Sequence, residues 1–205
     1  VSWSRGLGDV YKRQVKDGIK KMYIDQENYF YYITTINENY THPEMPKDCE
    51  EGIIKGMYVL SDNESYDVRL LGSGAILREA LKAKDILFKF KIKAQVWSVT
   101  SFNLLRKDGM EIERYNQLNP SGKQKLTYVE ECFSDSNVPV IAATDYMRSY
   151  AEQIRPYIHS SYTTLGTDGY GRSDSRQTLR DFFEVDSKSI ATVSYTHLTL
   201  PTTGI

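Results

Sequence analysis

From Gly56 onward, short apolar runs alternate with segments of helical period, and no feature constrains the fold more. Gly56–Leu60 and Asp67–Leu71 read as strands around the turn Ser61–Ser65, a hairpin-like pair. Gly72-Ser-Gly74 turns the chain into a helix from about Ala75 to Phe90, with Leu77, Ala80, Leu81, Leu87 and Phe88 along one side. Gln95–Val99 is the next strand, Arg106–Leu118 a helix, and Asn119–Gly122 its break. Thr127 with Glu130 three residues on is a capping box for a short helix. Val138–Ala143 is a wholly apolar strand, and Thr144 or Asp145 caps a helix over Tyr146–Ile154. Strands separated by helices need crossovers. The expected fold is therefore α/β, a mostly parallel (mixed) sheet with helices on both faces.

The most patterned stretch closes this run. Tyr162–Leu165 ends as a strand, and Gly166, Gly169 and Gly171 supply a tight loop. A helix follows with Leu179, Phe182 and Phe183 on one face, and Asp174 with Gln177 reads as its capping box.

Upstream, Val15–Asp25 resembles the end of a helix, and Tyr29–Ile36 is β-branched and aromatic throughout, a buried-strand candidate. Asn37–Asp48 holds two prolines and no periodicity, which places a linker over 37–55 and a domain boundary before residue 56. The two ends carry a DNA signature. Asp9–Gln14 can be written GAT GTG TAT AAG AGA CAG, and the reverse complement of that word, in another frame, encodes Val193–His197. The expectation is that residues 1–14 and 193–205 are translated sequencing adapter outside the fold, the first of these stretches disordered. Val15–Thr192 is then a piece of something longer, with its last helix cut off after Asp186 and an apolar face left bare.

Composition narrows the function classes. The formal net charge is −1. Leaving out residues 1–14, with Arg5, Lys12 and Arg13 against Asp9, takes it to −3. Neither value favours nucleic acid or an anionic membrane. Apolar runs are too short to span a bilayer. Cys49 and Cys132 lie far apart with no cysteine framework around them, so they read as two reduced thiols. His42 and His159 are too few and too scattered for a zinc site.

Four stretches, Tyr31–Pro46, Leu70–Ala80, Ala142–Pro156 and Leu165–Asp186, are similar to one family. Trp97–Phe102, Asp108-Gly109 and Glu113–Asn116 match the same region between them. They resemble the C-terminal portion of the thiamine-diphosphate-dependent, decarboxylating component of the bacterial pyruvate dehydrogenase complex, homodimeric type. The resemblance implies a transketolase C-terminal-domain-like lobe over 56–192, preceded by the end of a middle, pyrimidine-binding-type domain over 15–36. It implies a cytoplasmic parent that is a homodimer, binds thiamine diphosphate and magnesium in domains upstream, decarboxylates pyruvate and passes acetyl to a lipoyl-bearing acetyltransferase component. This piece is expected to be structural and dimer-forming, to bind no cofactor and to be inactive alone. Thr41-His42 departs from the His-Met of some members, so no role passes to His42. The lysine-rich Phe88–Lys93 is also unlike the family's usual helix end.

No catalytic, cofactor-binding or metal-ligating residue is assigned. Gly72-Ser-Gly74 and Gly169-Tyr-Gly171 sit where a dinucleotide loop would, but Leu77 and Asp174 occupy the third glycine position, so a structural turn is favoured over phosphate binding. Thr167-Asp168-Gly169 superficially resembles a magnesium–diphosphate motif, without its downstream asparagine. Asn37-Glu38-Asn39 is a polar cluster for which a strand-terminal turn outweighs a role at an active site or dimer interface. Glu130 and Glu131 are adjacent on a helix and cannot face each other. Arg172, Asp174 and Arg176 read as a surface or interface charge network. Two other functions stay open: the same domain from another 2-oxo acid dehydrogenase or a transketolase, and a regulatory module holding a small anion at Gly72 or Gly166.

Overall fold

The computed structural model describes residues 5–35, 43–62, 65–134 and 137–199. Asn37, Glu38, Asn39 and His42 lie outside them. Five strands, β1 (Met57–Ser61), β2 (Val68–Ser73), β3 (Ala94–Val99), β4 (Val140–Ala143) and β5 (Tyr162–Leu165), form one sheet in the order β1-β3-β2-β4-β5. Every pairing is parallel except β1 with β3. The mixed α/β sheet expected from the alternation is present.

The opening strands do not form the expected hairpin. β3 lies between β1 and β2, pairing Met57 with Val99 and Leu71 with Trp97. Burial explains this. All six positions of β2 are buried, so it needs a neighbour on each edge. The parallel partners β3 and β4 fill both edges, and β1 is left to the outer edge of β3.

Side chains alternate between two cores. Val68, Leu70, Val96 and Ile141 face α3 (Leu77–Lys89) and α8 (Ser187–Thr199). Leu71, Trp97, Val140 and Ala142 face α4 (Phe102–Leu118), α5 (Tyr128–Cys132) and α6 (Arg148–Glu152). Thr127 caps α5 as expected: its side chain accepts from Glu130 N at 3.2 Å, while Glu130 Oε2 accepts from Thr127 N at 2.8 Å.

Several elements differ from expectation. Glu50–Lys55, placed in the linker, is α2, and its Ile53 is fully buried. The helix expected over Tyr146–Ile154 shrinks to α6; Met147 precedes it and is 60% exposed, because the loop after β4 carries Asp145–Met147 along the end of the sheet. Ser175, not Asp174, caps α7 (Arg176–Phe182), accepting from Thr178 N, while Asp174 Oδ1 accepts from Ser175 N at 2.6 Å. Phe182 is 51% exposed rather than joining the half-buried Leu179 and Phe183 along the cavity. Tyr29–Thr35 joins no sheet; its Thr34 carbonyl accepts from Tyr11 instead of from a neighbouring strand.

Both chain ends also take part in the fold, against the expectation that they lie outside it. Residues 5–14 belong to α1 (Arg5–Ile19). Val10 is buried with Cys49, Ile53 and Tyr58, and Arg13 pairs with Glu50 at 2.8 Å. At the other end α8 continues through residues 193–199, burying Ser194 and packing Val193 and Leu198 against the α3 core. The face expected to be bare is covered. Glu79, itself 5% exposed, accepts from Ser187 N at 3.1 Å and so fixes where α8 begins.

Candidate functional site: the carboxyl edge of the sheet

β2 feeds α3 on one face, and its neighbour β4 feeds α6 on the other. The chain diverges between them, which opens a crevice at their carboxyl ends, where open α/β sheets bind ligands. Ser73 Oγ donates to Thr144 Oγ1 at 2.8 Å across that divide. The loop after β5 folds over it and completes a cavity of about 380 Å³. Asp145, Thr167, Gly169, Arg172, Arg176 and Arg180 supply its polar wall, and Ile76, Leu179, Phe183 and Val185 its apolar floor.

The two glycine loops read in the sequence thus meet at one place, and their glycines answer to different demands. A methyl group on Gly72 would sit 2.6 Å from Leu77 Cα, and one on Gly166 would sit 2.6 Å from Arg148 N. These two are glycine because backbone packs against them. Gly74, at φ +54°, and Gly169, at φ +91°, hold left-handed turns. Nothing lies within 4 Å of where a side chain on Gly169 or Gly171 would start, so that backbone is open to approach.

The charged groups are individually held. Arg172 lies over the Phe182 ring, 4.1 Å from its centre. Arg180 reaches the buried Glu79 at 3.5 Å. Asp145 is exposed at the cavity wall; partial desolvation there pushes its carboxyl up, with its own backbone N–H and Arg180 pulling the other way. Arg172 and Arg176, expected to form a surface or interface charge network with Asp174, line the cavity, whereas Asp174 accepts from Ser175 N at its own helix start. Asp145 and Arg180 had no functional reading. In the sequence Asp145 reads only as a possible helix cap, and nothing local marks Arg180, which lines the cavity and pairs with Glu79.

The other sequence candidates are placed elsewhere. Asp168 accepts from Arg148 N at 3.0 Å and lies 3.6 Å from the Arg148 guanidinium. Among the described residues no group of His, Cys, Asp or Glu side chains is arranged to hold a metal ion. These donors do not fit a magnesium–diphosphate site. Glu130 is engaged by its cap and by His159 at 2.9 Å and is not part of the cavity wall. Cys49 and Cys132 are both free thiols, each pushed up in pKa by burial.

A model of the transketolase-like C-terminal domain matches residues 56–186. This chain belongs to that family. A second model, the middle domain of the pyruvate dehydrogenase E1 component, matches residues 8–43. The chain is similar to the pyruvate dehydrogenase E1 component of Pseudomonas aeruginosa, 55% identical over 177 residues, covering 84% of this chain and 20% of that protein. It is similarly related to that of Escherichia coli K12, 48% identical over 179 residues, 85% of this chain and 20% of that one. The lobe therefore spans about a fifth of the length of these relatives. Transketolases from Pichia stipitis and Leishmania mexicana share its fold, with TM-scores of 0.51 and 0.52 at 19% and 18% identity, over 73% and 76% of this chain and 19% and 20% of theirs. Among the described residues no helix is long and apolar enough to cross a membrane.

Proposed function

We propose that this chain is the closing lobe of a bacterial pyruvate dehydrogenase E1 component, with the end of the middle domain attached at residues 8–43. The parent, a cytoplasmic homodimer, decarboxylates pyruvate with thiamine diphosphate and magnesium held by domains outside this chain. It then passes the acetyl unit to a lipoyl-bearing acetyltransferase. The lobe itself supplies fold and subunit contacts and no catalytic group. The observation that carries this reading is 55% identity over 177 residues, combined with two domain models matching in succession.

The mirrored DNA word at the two ends is a proposal about the gene, tested by sequencing across both ends.

The functional test uses the full-length parent. Release of carbon dioxide from pyruvate, dependent on thiamine diphosphate and magnesium, supports the reading; activity only on a ketose or another oxo acid overturns it. The 205-residue chain is expected to be inactive in the same assay, and pyruvate turnover by it alone would show that the lobe carries catalytic groups.

A further inference from the structure

We infer that the cavity at the carboxyl edge of the sheet binds a hydroxylated organic phosphate, of the sugar-phosphate or nucleotide class. This does not depend on the parent's activity. It rests on place, charge and shape together. The cavity lies at the point where neighbouring strands β2 and β4 send their chains to opposite faces, and its volume of about 380 Å³ is within the range of small-molecule sites.

Its charge is asymmetric. Arg172, Arg176 and Arg180 come from one short stretch at i, i+4 and i+8 and line one wall. Arg172 precedes α7 and Arg176 and Arg180 lie one turn apart on it, so positive groups converge on one wall even with Glu79 pairing Arg180. Arg172 is braced on the Phe182 ring and Arg180 by Glu79, which restricts both guanidiniums before any ligand arrives. Guanidinium forks suit phosphate, which accepts from two N–H groups at once.

Asp145 sets the second half of the specificity. A carboxylate on the cavity wall repels a bare phosphate but accepts hydrogen bonds from hydroxyls. A ligand that separates its anionic group from vicinal hydroxyls satisfies both walls. The floor of Ile76, Leu179, Phe183 and Val185 receives the apolar side of a sugar ring, and the unobstructed backbone at Gly169 and Gly171 lets the phosphate approach closely. Tyr170, 96% exposed between those glycines, offers a free ring face at the mouth where a base would stack.

The test titrates ribose 5-phosphate, AMP and inorganic phosphate into the 205-residue chain by calorimetry, and in parallel into the full-length parent carrying the same lobe. Ribose 5-phosphate and AMP should bind saturably, compete with each other and exceed inorganic phosphate. Tighter AMP binding assigns the nucleotide class, and equal binding the sugar-phosphate class. Arg172→Ala with Arg176→Ala should weaken both at least about tenfold. Those two side chains are exposed, so an unchanged unfolding midpoint confirms that the fold is intact. Asp145→Asn should abolish the preference over inorganic phosphate. The inference is overturned if no probe saturates at about 10 mM, a range that captures even millimolar affinity. It is also overturned if the double arginine variant binds as before, or if inorganic phosphate binds as well as ribose 5-phosphate. A negative result leaves the decarboxylation reading intact, since that assay contains none of these probes.

Discussion

Val138–Ala143 and Tyr29–Ile36 present nearly the same case for a strand: each is a short run of β-branched, aromatic or small apolar residues. In the first, β4 is clasped between β2 and β5, with all four residues buried. Of the second, Tyr29–Thr35 joins no ladder and leaves Phe30 and Tyr32 almost fully exposed. Tyr31 turns toward α1, where its hydroxyl donates to Asp17, while the Tyr29 ring, 5.5 Å from it, lies 5.3 Å from Lys21 and 4.8 Å from Lys107 of α4. Strand propensity measures how well side chains fit a pleated, half-buried surface, and it needs an edge to pair with. The two edges of this sheet are β1 and β5, and Tyr29–Thr35 pairs with neither.

The largest expected effect tests that contrast directly. Ile141→Ala removes a side chain that is 1% exposed and should cost about 2–5 kcal/mol, read as a lowered urea midpoint. Tyr32→Ala, in the segment without a ladder, should change stability by less than about 0.5 kcal/mol. Amide exchange should agree, with Val140–Ala143 protected near the global limit and Tyr29–Thr35 exchanging far faster. A comparable loss at Tyr32 would mean that the segment is packed and the contrast false.

Next in size is one substitution made in both regions. Gly72→Ala in β2 drives a methyl group to 2.6 Å from Leu77 Cα, a backbone atom that cannot move without shifting α3. It should cost about 1–3 kcal/mol. Gly18→Ala in α1 meets only the Tyr31 ring, at 3.0 Å, and a side chain can give way. Removing a helix glycine there gains up to about 1 kcal/mol, so the net change is small and in the stabilising direction. Chemical denaturation of the two variants side by side gives the signs.

What could be read from the sequence follows the same division. Signals held within one turn were legible: the Thr127–Glu130 capping box, the apolar run of β4, and the helical period from Leu77 to Leu87. Signals needing a distant partner were not. Nothing local says that β3 rather than β2 pairs with β1, because the decision lies in how many edges a fully buried strand must fill. Asp174 and Ser175 are both good caps one residue apart, and only the path of the β5 loop chooses Ser175. The candidate site was half visible. Its glycine loops were read as turns, and Arg172 and Arg176 as a charge network. Their meeting with Asp145 and Arg180 arises from sheet order, which no single motif encodes. The fate of α1 and α8 was invisible for a related reason: amphipathic residues of any origin pack where an apolar face is open.

Removing the cap should have a smaller effect. Thr127→Ala leaves Glu130 N without its acceptor and should cost about 1 kcal/mol in thermal unfolding.

The smallest effect separates the regions by pH. Burial opposes ionisation of Glu130, but hydrogen bonds from Thr127 and His159 outweigh it and hold the carboxyl below its usual value. Asp17 in α1 is also low: burial is outweighed there by Lys21 and Tyr31. A carboxyl depressed in the folded state stabilises it above the unfolded pKa, about 4.3 for glutamate, and that contribution fades as pH falls through the folded value. Glu130→Gln should therefore lower the unfolding midpoint at pH 7 by a small amount, with wild type and variant converging under acid. Asp17→Asn changes a pair toward the end of α1, beyond the Val10 and Arg13 contacts that tie this helix to the lobe, so it should move the midpoint less across the same range. A midpoint that drops equally for both variants would mean that the end of α1 is coupled to the lobe as firmly as Glu130 is, and would erase the distinction between the two regions.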